Sequence, residues 1–201
     1  MHALIVVSHP LDTSLTHGVA AAIAEGITAT DPANTFEMAD LTQEGFDPTY
    51  SGADIAGFLK TATVPDDILA EQARIDGADA LVLVFPIYWW SMPALLKGWI
   101  DRVFSNGWAY EETAEGAVVK KLGYLPVHII GLGAGGKSLY DRHGYTDAFN
   151  AQIAHGIFDY CGAPVVTNEM LLMPDLGEPK ACLDAARNIG RTVFNPLTPS
   201  R

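Results

Sequence analysis

The sequence has 201 residues, of which 49% are hydrophobic and 18% charged, so it can form a substantial core and is unlike a disordered chain. Its formal net charge is −12, from 24 acidic and 12 basic residues, which disfavours binding to nucleic acid or to an anionic membrane surface. The longest apolar run, residues 80–90, is too short for membrane insertion.

Two cysteines, Cys161 and Cys182, belong to no CxxC pair or metal-binding spacing. Both are interpreted as small buried thiols of helices, which fits a reduced, cytoplasmic setting. The six histidines show no HxxH or HExxH spacing, so no metal site is predicted. The first residues, MHALIVVSHP, have no basic region and begin directly with a strand pattern, so no signal peptide is expected.

Strands and helices alternate along the chain. Short β-rich apolar runs predict strands at residues 3–7, 34–38, 80–85, 124–130 and 164–171. Helical periodicity predicts helices at residues 15–27, 67–78, 94–104, 146–160 and 180–193. This alternation predicts an α/β fold, a doubly wound five-stranded parallel sheet in the flavodoxin-like order 2-1-3-4-5. We expect residues 1–201 to form a single domain, with one long irregular segment at residues 41–64.

In this fold a ligand binds beyond the carboxyl ends of the strands, where the strand order reverses. That rule selects three loops: residues 8–14, 86–93 and 131–143. The first loop places Ser8, His9, Thr13, Ser14 and Thr16 around a helix N-terminus, which attracts phosphate through free N–H groups. From this loop alone, phosphate binding and simple helix capping by Ser14 remain equally open.

The second loop carries three consecutive aromatic residues, Tyr88, Trp89 and Trp90, between Pro86 and Pro93. One tryptophan here would be interpreted as a core or interface residue. Two beside a tyrosine, at the expected ligand position, favour a wall for a planar ligand.

The third loop, GLGAGGKSLYDRHG, is rich in glycine, which lets the backbone approach a flat ligand closely. Tyr140 and His143 follow the glycines, with Arg142 between them, and both can hold or move a proton. A phosphate pocket, a close backbone loop and an aromatic wall together indicate a flavin. The first loop matches neither the GxGxxG pattern nor a P-loop, and the chain has no GxSxG motif, which argues against a serine hydrolase.

Residues 85–110, FPIYWWSMPALLKGWIDRVFSNGWAY, resemble the signature segment of the NAD(P)H:quinone oxidoreductase family. The similarity continues through VPDDILAEQARIDGADALVLVFP upstream and through IIGLGAGGKSLYDRHG and FDYCGAPVV downstream. That family includes the mammalian quinone reductases, the bacterial modulator of drug activity B and the ancillary flavoproteins of glutathione-gated potassium efflux.

The resemblance implies a homodimer that binds FAD or FMN non-covalently. It also implies a ping-pong cycle, in which NAD(P)H passes a hydride to the flavin and a quinone then takes it. We favour FAD over FMN because residues 41–64 could cover an adenine. The choice between NADH and NADPH stays open, although Arg142 or Lys137 could meet a 2′-phosphate.

Site residues also follow from the resemblance. The cofactor-binding residues are expected to be His9, Ser14, Leu15, Thr16, Pro86, Ile87, Tyr88, Trp89, Trp90, Leu132, Gly133, Ala134, Gly135, Gly136 and Tyr140. The catalytic residues are expected to be Tyr140 and His143, and the substrate-binding residues Tyr110, Trp90 and His143, with Tyr110 reaching the partner's site.

This chain departs from the mammalian pattern in several places. Leu132 and Gly133 stand where mammalian members have hydroxyl residues, and Glu112 replaces a second substrate-pocket tyrosine. Tyr140 and His143 are also closer together in sequence than the mammalian pair. The alternative function is that of an ancillary regulatory flavoprotein of a potassium-efflux system. A one-electron carrier is disfavoured, because it needs an exposed flavin edge, whereas the aromatic loop, Tyr140 and His143 indicate a substrate pocket.

Overall fold

The computed structural model describes residues 1–113 and 115–195. At its centre, five parallel strands form a sheet in the order β2-β1-β3-β6-β7, which confirms the predicted flavodoxin-like topology. The strands of this sheet are β1 (His2–Val7), β2 (Thr35–Asp40), β3 (Ala80–Pro86), β6 (Val127–Gly133) and β7 (Val165–Leu172). A separate antiparallel hairpin consists of β4 (Tyr110–Glu112) and β5 (Val118–Lys120).

Helices cover both faces of the sheet. They are α1 (Leu15–Thr30), α2 (Gly52–Phe58), α3 (Asp66–Asp76), α4 (Ala94–Val103), α5 (Lys137–His143), α6 (Tyr145–Phe149), a π-helix (Asn150–Asp159), α7 (Met173–Leu176) and α8 (Pro179–Gly190). Apolar side chains from α1 and α8 pack on one face, and those from α3, α4 and the π-helix pack on the other. The central strands β1, β3 and β6 are therefore buried on both faces, as their apolar runs predict.

The strand expected at residues 124–130 lies three residues later, at Val127–Gly133. Leu125 closes a turn with the carbonyl of Leu122, and Pro126 has no N–H to contribute to a ladder, so pairing begins at residue 127. The other end extends because Gly133 still pairs with Leu172. Leu132 and Gly133, expected in the third loop, consequently belong to the end of β6.

The segment at residues 41–64, expected to be irregular, contains α2, which begins with a capping box between Ser51 and Asp54. The segment is fixed to α4 by Arg102, which pairs with Asp54 and Asp67 and also donates to the Asp47 carbonyl. Burial alone would raise the pKa of the Asp54 carboxyl, but hydrogen bonds from Ser51 and Arg102 lower it overall. The length of this segment is thus explained largely by packing on α4.

Candidate active site

The three loops selected from the sequence meet at the carboxyl edge of the sheet. The N–H of Ser8 donates to the Val84 carbonyl at 3.2 Å, which joins the first loop to the end of β3. The N–H of Ile87 donates to the Leu132 carbonyl at 2.7 Å, which joins the second loop to the end of β6. The sheet therefore holds the loops side by side, as expected for a ligand site at the point where strand order reverses.

The second loop is a tight two-residue turn. Tyr88 and Ser91 exchange both backbone hydrogen bonds, at 3.0 Å each, and Trp89 and Trp90 are the central residues. Their φ angles are +48° and +66°, the signs that a type I′ turn requires. Asparagine and glycine usually occupy such positions, and each non-glycine residue there costs about 1–2 kcal/mol. Backbone strain of this kind in a ligand-side loop is characteristic of functional sites.

The two tryptophans have different surroundings. Trp89 is 90% exposed, so burial does not compensate for its backbone strain. Trp90 stacks on Tyr145, with ring centroids 3.9 Å apart and planes 14° apart, and meets Tyr140 edge-to-face at 5.5 Å. Such aromatic contacts contribute about 0.5–1.5 kcal/mol each, which offsets part of the strain at Trp90.

Tyr140 and His143, the two expected catalytic residues, both belong to α5. Tyr140 is 2% exposed, and burial raises the pKa of its phenol, so the hydroxyl stays protonated and can donate a hydrogen bond. His143 is exposed and stacks on Tyr145, at 5.2 Å between centroids and 19° between planes. Tyr145 also contacts Tyr140 edge-to-face at 6.1 Å, so this one ring contacts three residues of the expected site.

A cavity of about 160 Å³ lies between the second and third loops. It is lined by Ile87, Trp89, Trp90, Ala134, Gly135 and Tyr140, all expected cofactor-binding residues. Within residues 1–113 and 115–195, the N–H groups of Ala134 and Gly135 have no backbone or side-chain acceptor. The site therefore combines aromatic surface with free backbone donors, the two features that an isoalloxazine ring would use.

The first loop ends at Ser14, whose side chain caps α1 by accepting from the His17 N–H. The next two N–H groups, those of Leu15 and Thr16, have no acceptor in the described part of the chain. They are free donors at the N-terminus of a 16-residue helix, which suits a phosphate. Both explanations of Ser14, as a helix cap and as part of a phosphate site, are therefore compatible.

His17 and Asp40 support this end of the site and were missed from the sequence. The imidazole of His17 contacts the Ser14 hydroxyl at 2.9 Å and the Asp40 carboxylate at 2.7 Å. Asp40 is the last residue of β2, and its other oxygen accepts from the N–H groups of Thr42 and Gln43. The available signal was the i, i+3 spacing of Ser14 and His17 on one helix face.

A larger cavity, of about 400 Å³, separates the first and second loops. It is lined by Ser8, His9, Pro10, Thr42, Tyr88, Pro93, Ala94 and Leu95. His9 is held against the loop because its Nδ1 accepts from the Leu11 N–H at 3.0 Å. Of the long segment at residues 41–64, only Thr42 lines this cavity.

Tyr110, an expected substrate-binding residue, lines neither of the two cavities beside the three loops. It begins β4, is half-buried, and packs edge-to-face on Tyr160 at 5.3 Å. Burial raises the pKa of its phenol. The structure brings together Trp90, Tyr140 and Tyr145 but does not bring Tyr110 to them.

Two kinds of site are absent from the described ranges. Residues 1–113 and 115–195 contain no cluster of three or more histidine, cysteine, aspartate or glutamate side chains arranged to hold a metal ion. No helix in these ranges has the length and apolarity needed to cross a membrane.

Comparisons with known proteins agree with this fold. The family model described as flavodoxin-like fold matches residues 1–188. NAD(P)H dehydrogenase (quinone) 1 of Cavia porcellus is 30% identical over 192 residues, covering 84% of this chain and 67% of that protein. An uncharacterized NAD(P)H oxidoreductase of Haemophilus influenzae is 31% identical over 171 residues, covering 85% of this chain and 83% of that protein.

Among solved structures, the NAD(P)H:quinone oxidoreductase from Methanothermobacter marburgensis superimposes with a TM-score of 0.86 at 26% identity. The match covers 95% of this chain and 98% of that one. The chain therefore belongs to the flavodoxin-like family, among the relatives of the NAD(P)H quinone dehydrogenases.

Proposed function

We propose that this chain is a flavin-dependent NAD(P)H:quinone oxidoreductase that reduces quinones or related electrophiles by two-electron hydride transfer in a ping-pong cycle. The family relationship supports an NAD(P)H-dependent oxidoreductase of the quinone-reducing type. The main observation in favour of a flavin is the cavity between the second and third loops, where aromatic rings face free backbone donors. We propose that residues 1–201 form a single flavin-binding domain.

The residues fit a flavin at both ends. The free N–H groups of Leu15 and Thr16, beside Ser14, would hold the phosphate at the start of α1. The side chains of Ile87, Trp89 and Trp90 would contact the ring system, and the backbone of Ala134 and Gly135 would approach it closely. When bound, the flavin supplies a centre that accepts and donates a hydride, which no side chain offers.

The chain's own groups supply orientation and protons. The N–H groups of Ala134 and Gly135 would stabilise negative charge as it develops on the cofactor. The Tyr140 hydroxyl, protonated because its pKa is raised by burial, would donate a hydrogen bond inside the pocket. His143, which is exposed and stacks on Tyr145, would deliver the proton that a quinone oxygen takes up when the quinone ring receives a hydride.

We propose FAD as the cofactor, with FMN as the alternative. FAD needs room for an adenosine moiety near the first loop, and the cavity of about 400 Å³ beside Ser8, His9 and Thr42 offers such room. Residues 41–64 pack mainly on α4, so the preference for FAD rests on this cavity. Mass spectrometry of the flavin released by denaturation decides between the two.

We propose a homodimer, because Tyr110 lines neither cavity of its own chain and would line the partner's pocket. The highly exposed Trp89 and the exposed Leu11 and Tyr88 add apolar surface that a second chain could cover. A cytoplasmic location is proposed from the two buried, unpaired cysteines, Cys161 and Cys182. Light scattering of the purified protein measures its molar mass and so tests whether it is a homodimer.

The experiment that tests the function is reduction of a quinone by the purified protein. We expect a yellow protein that oxidises NADH or NADPH only when a quinone is present. A protein that is colourless and takes up neither FAD nor FMN would rule the proposal out. Comparing the rates with NADH and NADPH also identifies the donor.

The residue roles are tested by stopped-flow measurement of the two half-reactions. We expect His143→Gln to slow hydride transfer about tenfold or more while flavin affinity changes little. Trp89→Ala should weaken flavin binding more than it slows hydride transfer. His155→Gln is the matched control, since His155 is an exposed histidine paired with Asp159 on the π-helix. Unchanged half-reactions in His143→Gln would refute the catalytic role.

A further inference from the structure

We propose that Tyr145, which the expected site did not include, is the positioning residue of the acceptor site. Its ring fixes the His143 imidazole on one face and the Trp90 indole on the other. This inference rests on the proposed function, because it assigns Tyr145 a role in delivering the proton of that same reaction.

The ring geometry places Tyr145 in the middle of a stack. The Trp90 ring is 3.9 Å from the Tyr145 ring between centroids, and the His143 ring is 5.2 Å from it, both nearly parallel to it. The described part of the chain shows no ring contact between Trp90 and His143 themselves. The two rings therefore lie on opposite faces of Tyr145, and Tyr145 determines the distance between them.

The backbone explains how His143 and Tyr145, two positions apart, come to stack. Gly144 ends α5 with φ +68° and at the same time begins α6. A left-handed residue between the two helices reverses the local chain direction, so side chains on either side of it meet. Gly144 is open on its Cβ side, so its left-handed φ, rather than crowding, is what requires glycine there.

His143 depends on this stack for its orientation. Within residues 1–113 and 115–195, its imidazole makes no hydrogen bond or ion pair with another side chain, and its ring contact is with Tyr145. A proton donor works only within hydrogen-bond reach of the acceptor atom, and displacements of about 1 Å lower rates about 100-fold. The ring of Tyr145 is thus placed to hold an otherwise unanchored imidazole.

The second loop depends on Tyr145 as well. Trp90 has a positive φ, and its contacts with Tyr145 and Tyr140 hold its indole against α5 and α6. The hydroxyl of Ser91 also donates to Gln152 of the π-helix at 2.5 Å. The loop is therefore tied to this part of the chain at two adjacent residues, of which only the Trp90 contact also involves the expected catalytic residues.

The test compares Tyr145→Phe, which keeps a ring, with Tyr145→Leu, which removes it, in the flavin-loaded protein. We expect Tyr145→Leu to slow the quinone half-reaction about tenfold or more at saturating flavin, and to weaken flavin binding as well because Trp90 loses its stacking partner. Tyr145→Phe should stay within about threefold of wild type in both. The matched control is Tyr124→Leu, because Tyr124 is an exposed tyrosine that bonds Asp76 and belongs to neither the flavin nor the acceptor site.

A double variant separates positioning from a structural role. If Tyr145 acts through His143, Tyr145→Leu combined with His143→Gln should be no slower than His143→Gln alone. Fully additive losses, or a Tyr145→Phe variant as slow as Tyr145→Leu, would overturn the proposal. The melting temperature of each variant is measured, so that a loss caused by unfolding is identified.

The stacking of Tyr145 on Trp90 can also be measured without catalytic turnover. Near-ultraviolet circular dichroism should show a changed tryptophan band in Tyr145→Leu and a retained band in Tyr145→Phe. Identical spectra in wild type and both variants would overturn the positioning role even if the wild type is active. A wild type that binds no flavin would refute the proposed function, whereas the spectra would still report on the stack.

Discussion

Gly133 lies directly against Tyr140. A Cβ atom on Gly133 would stand 2.9 Å from the Tyr140 hydroxyl oxygen and 2.6 Å from the Cδ2 atom of Leu172. Both distances are shorter than van der Waals contact, so the end of β6 accommodates the buried tyrosine only because residue 133 has no side chain. This contact explains why a glycine stands at a position where the resemblance to mammalian enzymes implies a hydroxyl residue.

Gly133→Ala should therefore displace Tyr140 or Leu172. We expect a loss of about 1–3 kcal/mol in the free energy of unfolding, as for overpacked cores, and slower flavin reduction. Chemical denaturation and stopped-flow kinetics measure the two effects. Gly52→Ala is the control, because a Cβ there meets nothing within 4 Å. Equal stabilities of the two variants would contradict the contact.

The strained turn at Trp89 predicts a trade between stability and cofactor binding. Trp89→Gly should be about 1 kcal/mol more stable than Trp89→Ala, because glycine adopts positive φ without the Cβ penalty. Little burial is lost in either variant, since Trp89 is 90% exposed. Both variants should bind flavin more weakly than wild type, as measured by titration. If alanine proved the more stable replacement, the positive φ at residue 89 would be wrong.

The sheet order could be predicted from the sequence because burial on both faces leaves a direct signal. Runs such as residues 80–85 have no polar face, so they fit only the inside of a parallel sheet covered by helices. Once the order was known, the position of the ligand-side loops followed from topology alone. The β4–β5 hairpin gave no such signal, since its strands have three residues each and β5 is exposed.

The details of the site were less accessible to prediction. A turn with two positive φ angles is normally recognised by Asn-Gly or similar pairs. The sequence Trp89-Trp90 does not resemble such a pair, so the turn could not be predicted from it. Tyr145 lies one residue beyond the glycine that ends α5, and only the left-handed φ of that glycine brings its ring to Trp90. A π-helix differs from an α-helix in the spacing of its backbone hydrogen bonds, which propensity and apolar pattern do not reveal, so the sequence predicted an ordinary helix at residues 146–160.

The buried Arg102 should be important for stability. Its side chain is 7% exposed, pairs with Asp54 and Asp67, and lies over the Phe46 ring at 5.4 Å. Arg102→Leu would leave the Asp54 carboxylate buried without its partner, which typically costs about 3–5 kcal/mol. We expect this loss in urea unfolding, with flavin binding retained once the variant is folded.

The matched control for Arg102 lies on the same helix. Lys97 pairs with Asp101 on the exposed side of α4, and such surface pairs contribute about 0.5 kcal/mol or less. Lys97→Leu should therefore leave the unfolding midpoint nearly unchanged. Similar losses in the two variants would show that the 41–64 segment does not depend on the Arg102 contacts.

His128 predicts how stability changes with pH. It is fully buried in β6, contacts the Thr167 hydroxyl at 2.9 Å and the Val193 carbonyl at 3.1 Å, and burial lowers its pKa from 6.5 to about 4. The unfolded chain therefore binds a proton at a higher pH than the folded chain does. Stability from neutral His128 is fully present above pH 6.5 and is lost as the pH falls toward 4.

The shift corresponds to about 3 kcal/mol across that window. Unfolding free energies of wild type and His128→Phe, measured from pH 4 to 8, isolate this contribution, because other groups titrate alike in both proteins. The free energy of unfolding of wild type, relative to that of His128→Phe, should fall as the pH drops from 6.5 to 4 and stay constant above pH 6.5. A difference that does not vary with pH would mean that His128 titrates alike in the folded and unfolded chains.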